Sequence, residues 1–153
     1  MAQRVPSPDV LSRLARLERE VAVLRRAGWE RDELPFYPTS AASMPYETSA
    51  TLQVVWETVL SPRTGALSLG LVTIGNVIGG VNTGGEWQVV LADTVVVMSG
   101  TIAATFSYQF AAASIDLTPY RGQASLKVQI KARRTSGATT GGVAVAPRYA
   151  RLI

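Results

Sequence analysis

The stretch at residues 126–132, LKVQIKA, decides the fold class, because its apolar and polar residues alternate strictly. Side chains of a β-strand point alternately to opposite faces, so this pattern predicts a strand with one buried and one solvated face. The same period of two recurs along residues 51–153. Its apolar positions include Leu52, Val54 and Trp56, then Leu67, Leu69 and Leu71, and then Ile102, Ala104, Phe106, Tyr108 and Phe110. Gly and Pro separate at least seven such runs, which predicts an all-β sandwich.

The N-terminal residues follow a different period. Ser7, Pro8 and Asp9 are typical of a helix start, because Ser caps the first turn, Pro suits it and Asp opposes the helix dipole. Gly28 is typical of a helix end. Between these signals the apolar residues recur with the four-and-three spacing of a coiled-coil seam, at Val10, Leu14, Leu17, Val21 and Leu24. The pattern predicts a short coiled-coil helix over residues 8–27, preceded by an N-terminal tip at residues 1–7.

Charges beside this seam favour a parallel assembly of several chains. Arg13 and Glu20 fall at position g of the heptad, and Glu18 and Arg25 fall at position e. In a parallel coiled coil, position g of one chain faces position e of the next heptad on its neighbour. Arg13 would then meet Glu18, and Glu20 would meet Arg25, both as pairs of opposite charge.

Residues 13–18, RLARLE, resemble the short trimer-specifying motif of natural coiled coils, in which Arg at g and Glu at e flank two apolar residues. The resemblance implies that the stem of Arg13 packs over the apolar layer and that its guanidinium meets Glu18 of the adjacent chain. The alternative is a single amphipathic helix that docks on its own domain or on another protein. Since so short a helix is unstable alone, a coil here requires an assembly that holds it.

Residues 28–50 join the helix to the β domain. Pro35, Pro38 and Pro45 exclude a continuing helix. The aromatic residues between them favour an extended neck that lies against the globular part or a neighbouring subunit; these are Trp29, Phe36, Tyr37 and Tyr46. A proline-rich segment for peptide recognition is the alternative. The predicted domain boundaries are therefore 1–7, 8–27, 28–50 and 51–153.

The composition excludes several classes of function. The chain has no cysteine and no histidine, which removes disulfides, thiolate nucleophiles, the usual zinc sites and imidazole-based triads. A glycosidase needs two carboxylates facing each other across a cleft. The carboxylates of the β domain are instead scattered singly, at Glu47, Glu57, Glu86, Asp93 and Asp116. We therefore predict no catalytic residues, no metal site and no cofactor.

Charge and hydropathy argue against nucleic acid and membranes as partners. The net charge is only +4, and the one basic cluster contains Lys127, Lys131, Arg133 and Arg134. This cluster follows the polar face of a predicted strand and lacks the interleaved aromatic residues of single-strand binding proteins. The N-terminus has no signal-peptide pattern, and no apolar run is long enough to cross a bilayer. We expect neither signal-driven export nor membrane insertion.

Aromatic residues beside loops are the candidates for contact with sugars, because aromatic rings provide flat, amphipathic platforms. Trp87 and Tyr120 lie next to predicted loops and are our candidate glycan-binding residues. Trp56 and Tyr108 lie on the apolar faces of their predicted strands. We therefore expect those two side chains in the core.

Residues 100–152 resemble the second half of the jelly-roll carbohydrate-binding and galactose-binding-like domains. The most specific part is the turn at residues 116–123, DLTPYRGQ, between an aromatic strand and a strand that ends near a Ser-Gly pair. The resemblance implies a jelly roll in which Thr118 and Pro119 begin a tight bend, Tyr120 folds over the sandwich end and Gly122 supplies backbone freedom.

The closing run, Val143–Leu152, departs from that family. Residues 146–148 are Ala-Pro-Arg where many members have Asp, which argues against a structural calcium ion there. Pro147 also predicts that the closing strand lies at an edge of the sheet or begins after this residue.

The combination of coil, neck and sandwich resembles the short trimeric fibre and minor tail proteins of tailed bacteriophages. That resemblance implies a homotrimer made in the host cytoplasm and built into the virion, at the tail or head surface. Its coil would bind other virion proteins and its sandwiches would bind host envelope glycans. Two alternatives stay open: a capsid-decoration or head-fibre trimer that stabilises the lattice, and a monomeric carbohydrate-binding module.

Overall fold

The computed structural model describes residues 13, 15–22, 34, 36–38, 45–78 and 82–153. The chain divides into two compact units, Met1–Asp32 and Glu33–Ile153. The second unit begins well before residue 51, where the sequence placed the start of the β domain. The reason is that two short strands of the neck, at residues 37–38 and 46–47, belong to the sheets.

The first unit contains a helix at residues 13 and 15–22. Leu17 and Val21, which belong to the predicted seam, are 56% and 44% exposed. Arg16 Nε donates to Glu20 Oε1 at 2.9 Å, an ion pair within one helix, so Glu20 already has a partner in its own chain. Arg13 and Glu18 are exposed. The other predicted trimerisation residues lie outside the described residues; they are Val10, Leu14, Leu24 and Arg25.

The second unit is mainly β. Its strands are β1 (Tyr37–Pro38), β2 (Tyr46–Glu47), β3 (Gln53–Leu60), β4 (Ala66–Ile74), β5 (Gly84–Leu91), β6 (Val95–Ile102), β7 (Gln109–Asp116), β8 (Leu126–Ser136) and β9 (Val143–Leu152). Seven of these strands follow residue 51, which confirms the number predicted from the alternating runs.

The strands form two antiparallel sheets. One has four strands in the order β2-β9-β4-β7, and the other has five in the order β1-β3-β8-β5-β6. Four of the pairs are nested, so that β2 pairs with β9, β3 with β8, β4 with β7, and β5 with β6. Strands β2 to β5 therefore pair in reverse order with strands β6 to β9. Successive pairs belong alternately to the four-stranded and the five-stranded sheet.

The core is built by the apolar faces of both sheets. Alternate residues of β8 are almost fully buried, as the alternation of residues 126–132 predicts; they are Leu126, Val128, Ile130 and Ala132. The intervening lysines, Lys127 and Lys131, are half-buried on the opposite face. Leu67, Leu69 and Leu71 of β4 belong to the same core cluster. The inward faces of β4 and β8 thus meet in one apolar layer, which stabilises the sandwich by removing side chains from water.

The run from Ile102 to Phe110 does not form the single strand that its alternation predicts. β6 ends at Ile102 and β7 begins at Gln109. Thr105 N donates to Ala103 O at 2.8 Å, and Ala103 N donates to Gln109 Oε1 at 3.2 Å. These local bonds fold residues 103–108 into bends. The expectation that Tyr108 lies in the core is therefore wrong, because its side chain is 63% exposed.

The turn at residues 116–123 is as predicted. Thr118–Tyr120 form a short 3-10 helix with Pro119 in its first turn, and Tyr120 packs against the core. Thr118 N donates to Asp116 Oδ1 at 2.8 Å, and hydrogen bonds from Thr118 hold the pKa of the Asp116 carboxyl below its ordinary value. Gly122 has a φ of 88°, a left-handed conformation that disfavours residues with a β-carbon.

Pro147 lies inside β9, so the predicted start of the closing strand after this residue is wrong. β9 is also not an edge strand, because it lies between β2 and β4. Pro147 is opposite Leu71, next to a β-bulge, and β2 pairs only with Val143 and Ala144 of β9. A bulge beyond the end of a neighbouring strand tolerates proline because fewer ladder hydrogen bonds are required there.

The described part of the neck lies against the sandwich. Leu34 N donates to Ala150 O of β9 at 2.9 Å, and Leu34 and Phe36 pack against the core. β1 then pairs with Trp56 and Glu57 of the other sheet. This segment therefore crosses from one sheet to the other along the side of the sandwich.

Candidate functional site

The outer face of the five-stranded sheet carries two pairs of opposite charge together with the exposed side chains of Val59 and Val96. Arg133 lies 2.6 Å from a Glu86 carboxylate oxygen, and Lys127 Nζ lies 3.1 Å from Asp93 Oδ1. The hydrogen bond with Asp93 raises the pKa of Lys127 above its ordinary value. Acidic neighbours thus compensate two residues of the basic cluster that the sequence placed on this face.

The outer face of the four-stranded sheet is different, because it is mostly apolar. Since Leu67, Leu69 and Leu71 point into the core, the intervening residues of β4 face outward. The register across β7, β4 and β9 gives three outward rows, Phe110–Val72–Ala146, Ala112–Gly70–Tyr149 and Ser114–Ser68–Arg151. Phe110 is 76% exposed and Tyr149 is 47% exposed. Because contiguous exposed apolar surface is typical of interaction sites, this face is the candidate binding surface.

Gly70 gives the ring of Tyr149 its place on this face. A β-carbon at position 70 would lie 2.7 Å from Tyr149 Cζ and 2.8 Å from its Cδ1, both shorter than real contacts allow. The Tyr149 ring therefore lies flat over the glycine of the neighbouring strand. The absence of a side chain at position 70 keeps this aromatic ring in a defined position.

A groove of about 540 Å³ runs beside the first of these rows. Tyr108 and Phe110 line it from the β7 side, and Pro147 and Arg148 line it from β9. The remaining lining residues are Val72, Ala146 and Trp56. Trp56 is held in the core by its indole N–H, which donates to Val145 O at 2.7 Å. The groove therefore combines aromatic side chains with one guanidinium, on a rigid sheet.

A second, smaller groove of about 290 Å³ lies on the other side of the β9 bulge. It shares Trp56, Pro147 and Arg148 with the first groove. Its other lining residues are Leu34, Phe36, Tyr149 and Ala150. The bulge thus separates two concave surfaces, and Arg148 is exposed between them. We call the larger one the aromatic groove.

Asn76 supports the loop that carries Tyr108. Its Oδ1 accepts a hydrogen bond from Thr83 N, and its Nδ2 donates to Ala104 O at 3.2 Å. The backbone of Asn76 also donates to Thr83 O at 3.2 Å. Asn76 has a φ of 54°, a conformation that asparagine tolerates better than most residues. One side chain therefore joins the loop after β4 to the loop before β7.

Replacing Asn76 with alanine is expected to lower the free energy of unfolding by about 2–3 kcal/mol. The change removes both side-chain hydrogen bonds and puts alanine in a left-handed conformation. Urea denaturation measures the loss, and hydrogen exchange should become faster at residues 103–108. The control is Asn82→Ala, the same substitution at an exposed residue nearby. Equal stability of the two variants would show that Asn76 does not support the loop.

The structure does not bring the two predicted glycan-binding residues together. Trp87 is 3% exposed and packs against Gly100 in the core, so its prediction as a sugar platform is wrong. Tyr120 is half-buried in the turn after β7, whereas Tyr108 precedes β7. Tyr120 is therefore at the opposite end of this strand from the aromatic groove, and its role in glycan binding stays a prediction.

The aromatic residues of the groove face carry no clear signal in the sequence. Residues 101–110 contain no Gly or Pro, so nothing in them marks the loop that exposes Tyr108. Tyr149 is exposed because the bulge at Pro147 shifts the alternation of β9. Proline inside an otherwise alternating run was the one available signal of that shift.

Among the described residues, five carboxylates of the second unit each have a separate partner. These pairs are Glu47 with the Ser49 N–H, Glu57 with Gln129, Glu86 with Arg133, Asp93 with Lys127, and Asp116 with the Thr118 N–H. All five therefore have a local structural role. Within the described residues no three potential metal ligands come together. None of the described helices has the length and hydropathy of a membrane span.

Comparison with known proteins adds no family assignment. No protein-family model matches the chain, and no curated protein matches it. The two outer faces and the helix are therefore the features from which a function can be inferred.

Proposed function

We propose that this chain is a non-enzymatic structural protein of a phage virion, a homotrimer at the tail whose sandwich domains bind carbohydrate on the host surface. The observation that carries the proposal is the aromatic groove, where Tyr108 and Phe110 are exposed beside the apolar residues Val72 and Ala146. The opposite outer face has two pairs of opposite charge and no exposed aromatic side chain among the described residues.

The groove suits a sugar because a pyranose ring has an apolar face of C–H groups and an edge of hydroxyls. Aromatic side chains offer the complementary surface, apolar in the middle and polar at a tyrosine hydroxyl. The volume of about 540 Å³ is that of a small-ligand cleft. Phe110 lies in β7 and Tyr108 immediately precedes this strand, so the backbone holds both residues in place and little ordering is required when a ligand binds.

The strand orders support the jelly-roll part of the proposal. Eight strands follow the double Greek-key arrangement, in the orders β2-β9-β4-β7 and β3-β8-β5-β6. In this arrangement the first of the eight strands, β2, pairs with the last, β9. β1 is an addition beside β3. Lectin domains and viral capsid domains both use jelly rolls, so the fold agrees with a virion protein that binds sugar. The fold alone does not assign the ligand, which we infer instead from the residues that line the groove.

The trimer part of the proposal depends on the helix. Leu17 and Val21 are exposed in the single chain, and apolar seam residues of a short helix need burial. Other copies of the same helix would provide it. Three sandwiches on one stalk would bind a repetitive glycan with an avidity well above that of one groove. Weak individual sites are then sufficient for attachment.

The test combines mass and sugar binding on the full chain. Sedimentation equilibrium should give three times the chain mass of 16.3 kDa. The trimer should bind at least one member of a panel of immobilised bacterial envelope polysaccharides. Tyr108→Ala with Phe110→Ala should weaken that binding at least tenfold, because avidity multiplies the loss at each site. Phe106→Ala is the matched control, since Phe106 is 73% exposed but lines neither groove.

The outcomes separate the competing functions. A monomer that binds polysaccharide would favour the carbohydrate-binding module, and a trimer that binds none would favour capsid decoration. Binding that survives loss of Tyr108 and Phe110 but not of Phe106 would contradict the assignment of the groove. Labelling of intact particles would then distinguish tail from head.

A further inference from the structure

We propose that the aromatic groove selects a sugar with a ring carboxylate, a uronic acid, and that Arg148 is the residue that determines this specificity. This inference rests on the proposed carbohydrate function and adds the chemical class of the ligand. It is carried by the position of Arg148 on the β9 bulge, by its charge environment and by the residues around it.

The bulge makes Arg148 the extra residue of β9. Leu71 of β4 is opposite Pro147, and the preceding residue, Gly70, is opposite Tyr149, which leaves Arg148 without a partner in the ladder. Bulges redirect the side chain of the extra residue, and they are common beside binding sites. Here the extra residue, Arg148, lines both grooves and is exposed.

The charge of Arg148 is uncompensated within the described part of the chain. No acidic residue lines either groove, and none of the ion pairs among the described residues includes Arg148. Lys127 and Arg133, on the other sheet, each have an acidic neighbour. A cation beside aromatic rings with no local counter-charge is complementary to an anionic ligand.

The form of the anion follows from the donors. A guanidinium is planar, and two of its N–H groups match the two oxygens of a carboxylate. A phosphate monoester carries close to two negative charges at neutral pH and would need more cations than the groove lining provides. A pyranose with one carboxylate satisfies both parts of the site, because its ring faces Tyr108 and Phe110 while its carboxylate faces Arg148.

The experiment compares two sugars that differ at one carbon. Methyl β-D-glucuronide and methyl β-D-glucoside share the same ring, and only the first has a carboxylate. In saturation-transfer NMR titrations of the full chain, the glucuronide should bind with a Kd about tenfold lower than the glucoside. The difference should decrease as salt is raised, because the pair with Arg148 is exposed to solvent.

Variants assign the difference to one side chain. Arg148→Gln should weaken binding of the glucuronide about tenfold and leave the glucoside unchanged. Arg63→Gln is the control, because it removes the same charge from an exposed residue that lines neither groove. Tyr108→Ala should weaken both sugars, because the ring contact is common to them.

The failures are distinguishable. Equal binding of the two sugars by the unchanged protein would overturn the role of Arg148 and leave carbohydrate binding intact. Binding of neither sugar would overturn the groove as a sugar site. Competition by sodium acetate as effective as by the glucuronide would show a simple anion site, and a changed oligomeric mass in Arg148→Gln would show a contact between copies. Either of these last two results would also overturn the inference.

Discussion

Replacing Trp87 with alanine is expected to lower the free energy of unfolding by about 3–5 kcal/mol, which is the usual cost of removing a buried tryptophan. Trp87 points inward from β5, between Ala132 of β8 and Gly100 of β6. Its side chain is 3% exposed, so the substitution leaves a cavity in the core. Urea denaturation of the full chain at fixed concentration measures the change, since the stability of the proposed trimer would depend on concentration.

A second substitution at Gly100 tests the same contact from the other side. A β-carbon there would lie 2.7 Å from Trp87 Cζ2 and 2.8 Å from Cε2, so Gly100→Val should displace the indole and cost about 1–3 kcal/mol. In the Trp87→Ala background the valine should instead fill part of the cavity. The two changes are therefore expected to be non-additive, with the double variant more stable than the sum predicts.

The control for this cycle is Thr101→Val, which introduces the same side chain at an exposed neighbour. It should change stability by less than about 0.5 kcal/mol. Strict additivity of Trp87→Ala and Gly100→Val would contradict the contact. A Trp87→Ala variant of normal stability that no longer binds sugar would restore the platform role that the burial of Trp87 excludes.

The second large effect is expected at the helix, where Leu17→Asp should convert the proposed trimer into a monomer. Leu17 occupies position d, so three aspartates would share one layer of the coil. Burying three like charges without partners costs far more than a coil of fewer than three heptads gains. Sedimentation equilibrium at micromolar concentration should then give the mass of one chain.

Ala15→Asp is the matched control for this change. Ala15 falls at position b of the heptad, faces away from the seam, and acquires the same single charge. It should leave the mass unchanged. If Leu17→Asp also keeps the mass of the unchanged protein, the seam does not hold the chains together. If both variants dissociate, loss of helix rather than loss of the seam is responsible.

Several elements could be predicted from the sequence because their signals are local. The alternation of residues 126–132 predicted both the strand and its buried side, since opposite directions of successive side chains are a property of any β-strand. The turn at residues 116–123 was also predictable. Its Asx bond, its proline and the left-handed Gly122 all act within eight residues.

The candidate site was not predictable, because it depends on contacts between distant residues. Trp87 looked like a loop-side platform, and Gly100, thirteen residues later, makes space for its ring in the core. Tyr108 looked like a core residue, and Asn76 holds the loop that exposes it. In both cases the deciding residue, Gly100 or Asn76, lies more than ten residues away in sequence. Alternation alone cannot tell which face of a strand is covered by such distant residues.

The sequence by itself determined that residues 51–153 form at least seven strands of alternating pattern, and where the tight turn after β7 lies. Only the tertiary structure decided which aromatic rings are buried and which form the groove. The reason is that strand period is encoded in neighbouring residues, whereas burial depends on which strands become neighbours. A bulge in β9 and a glycine in β4 then place Arg148 and Tyr149 on the outer face.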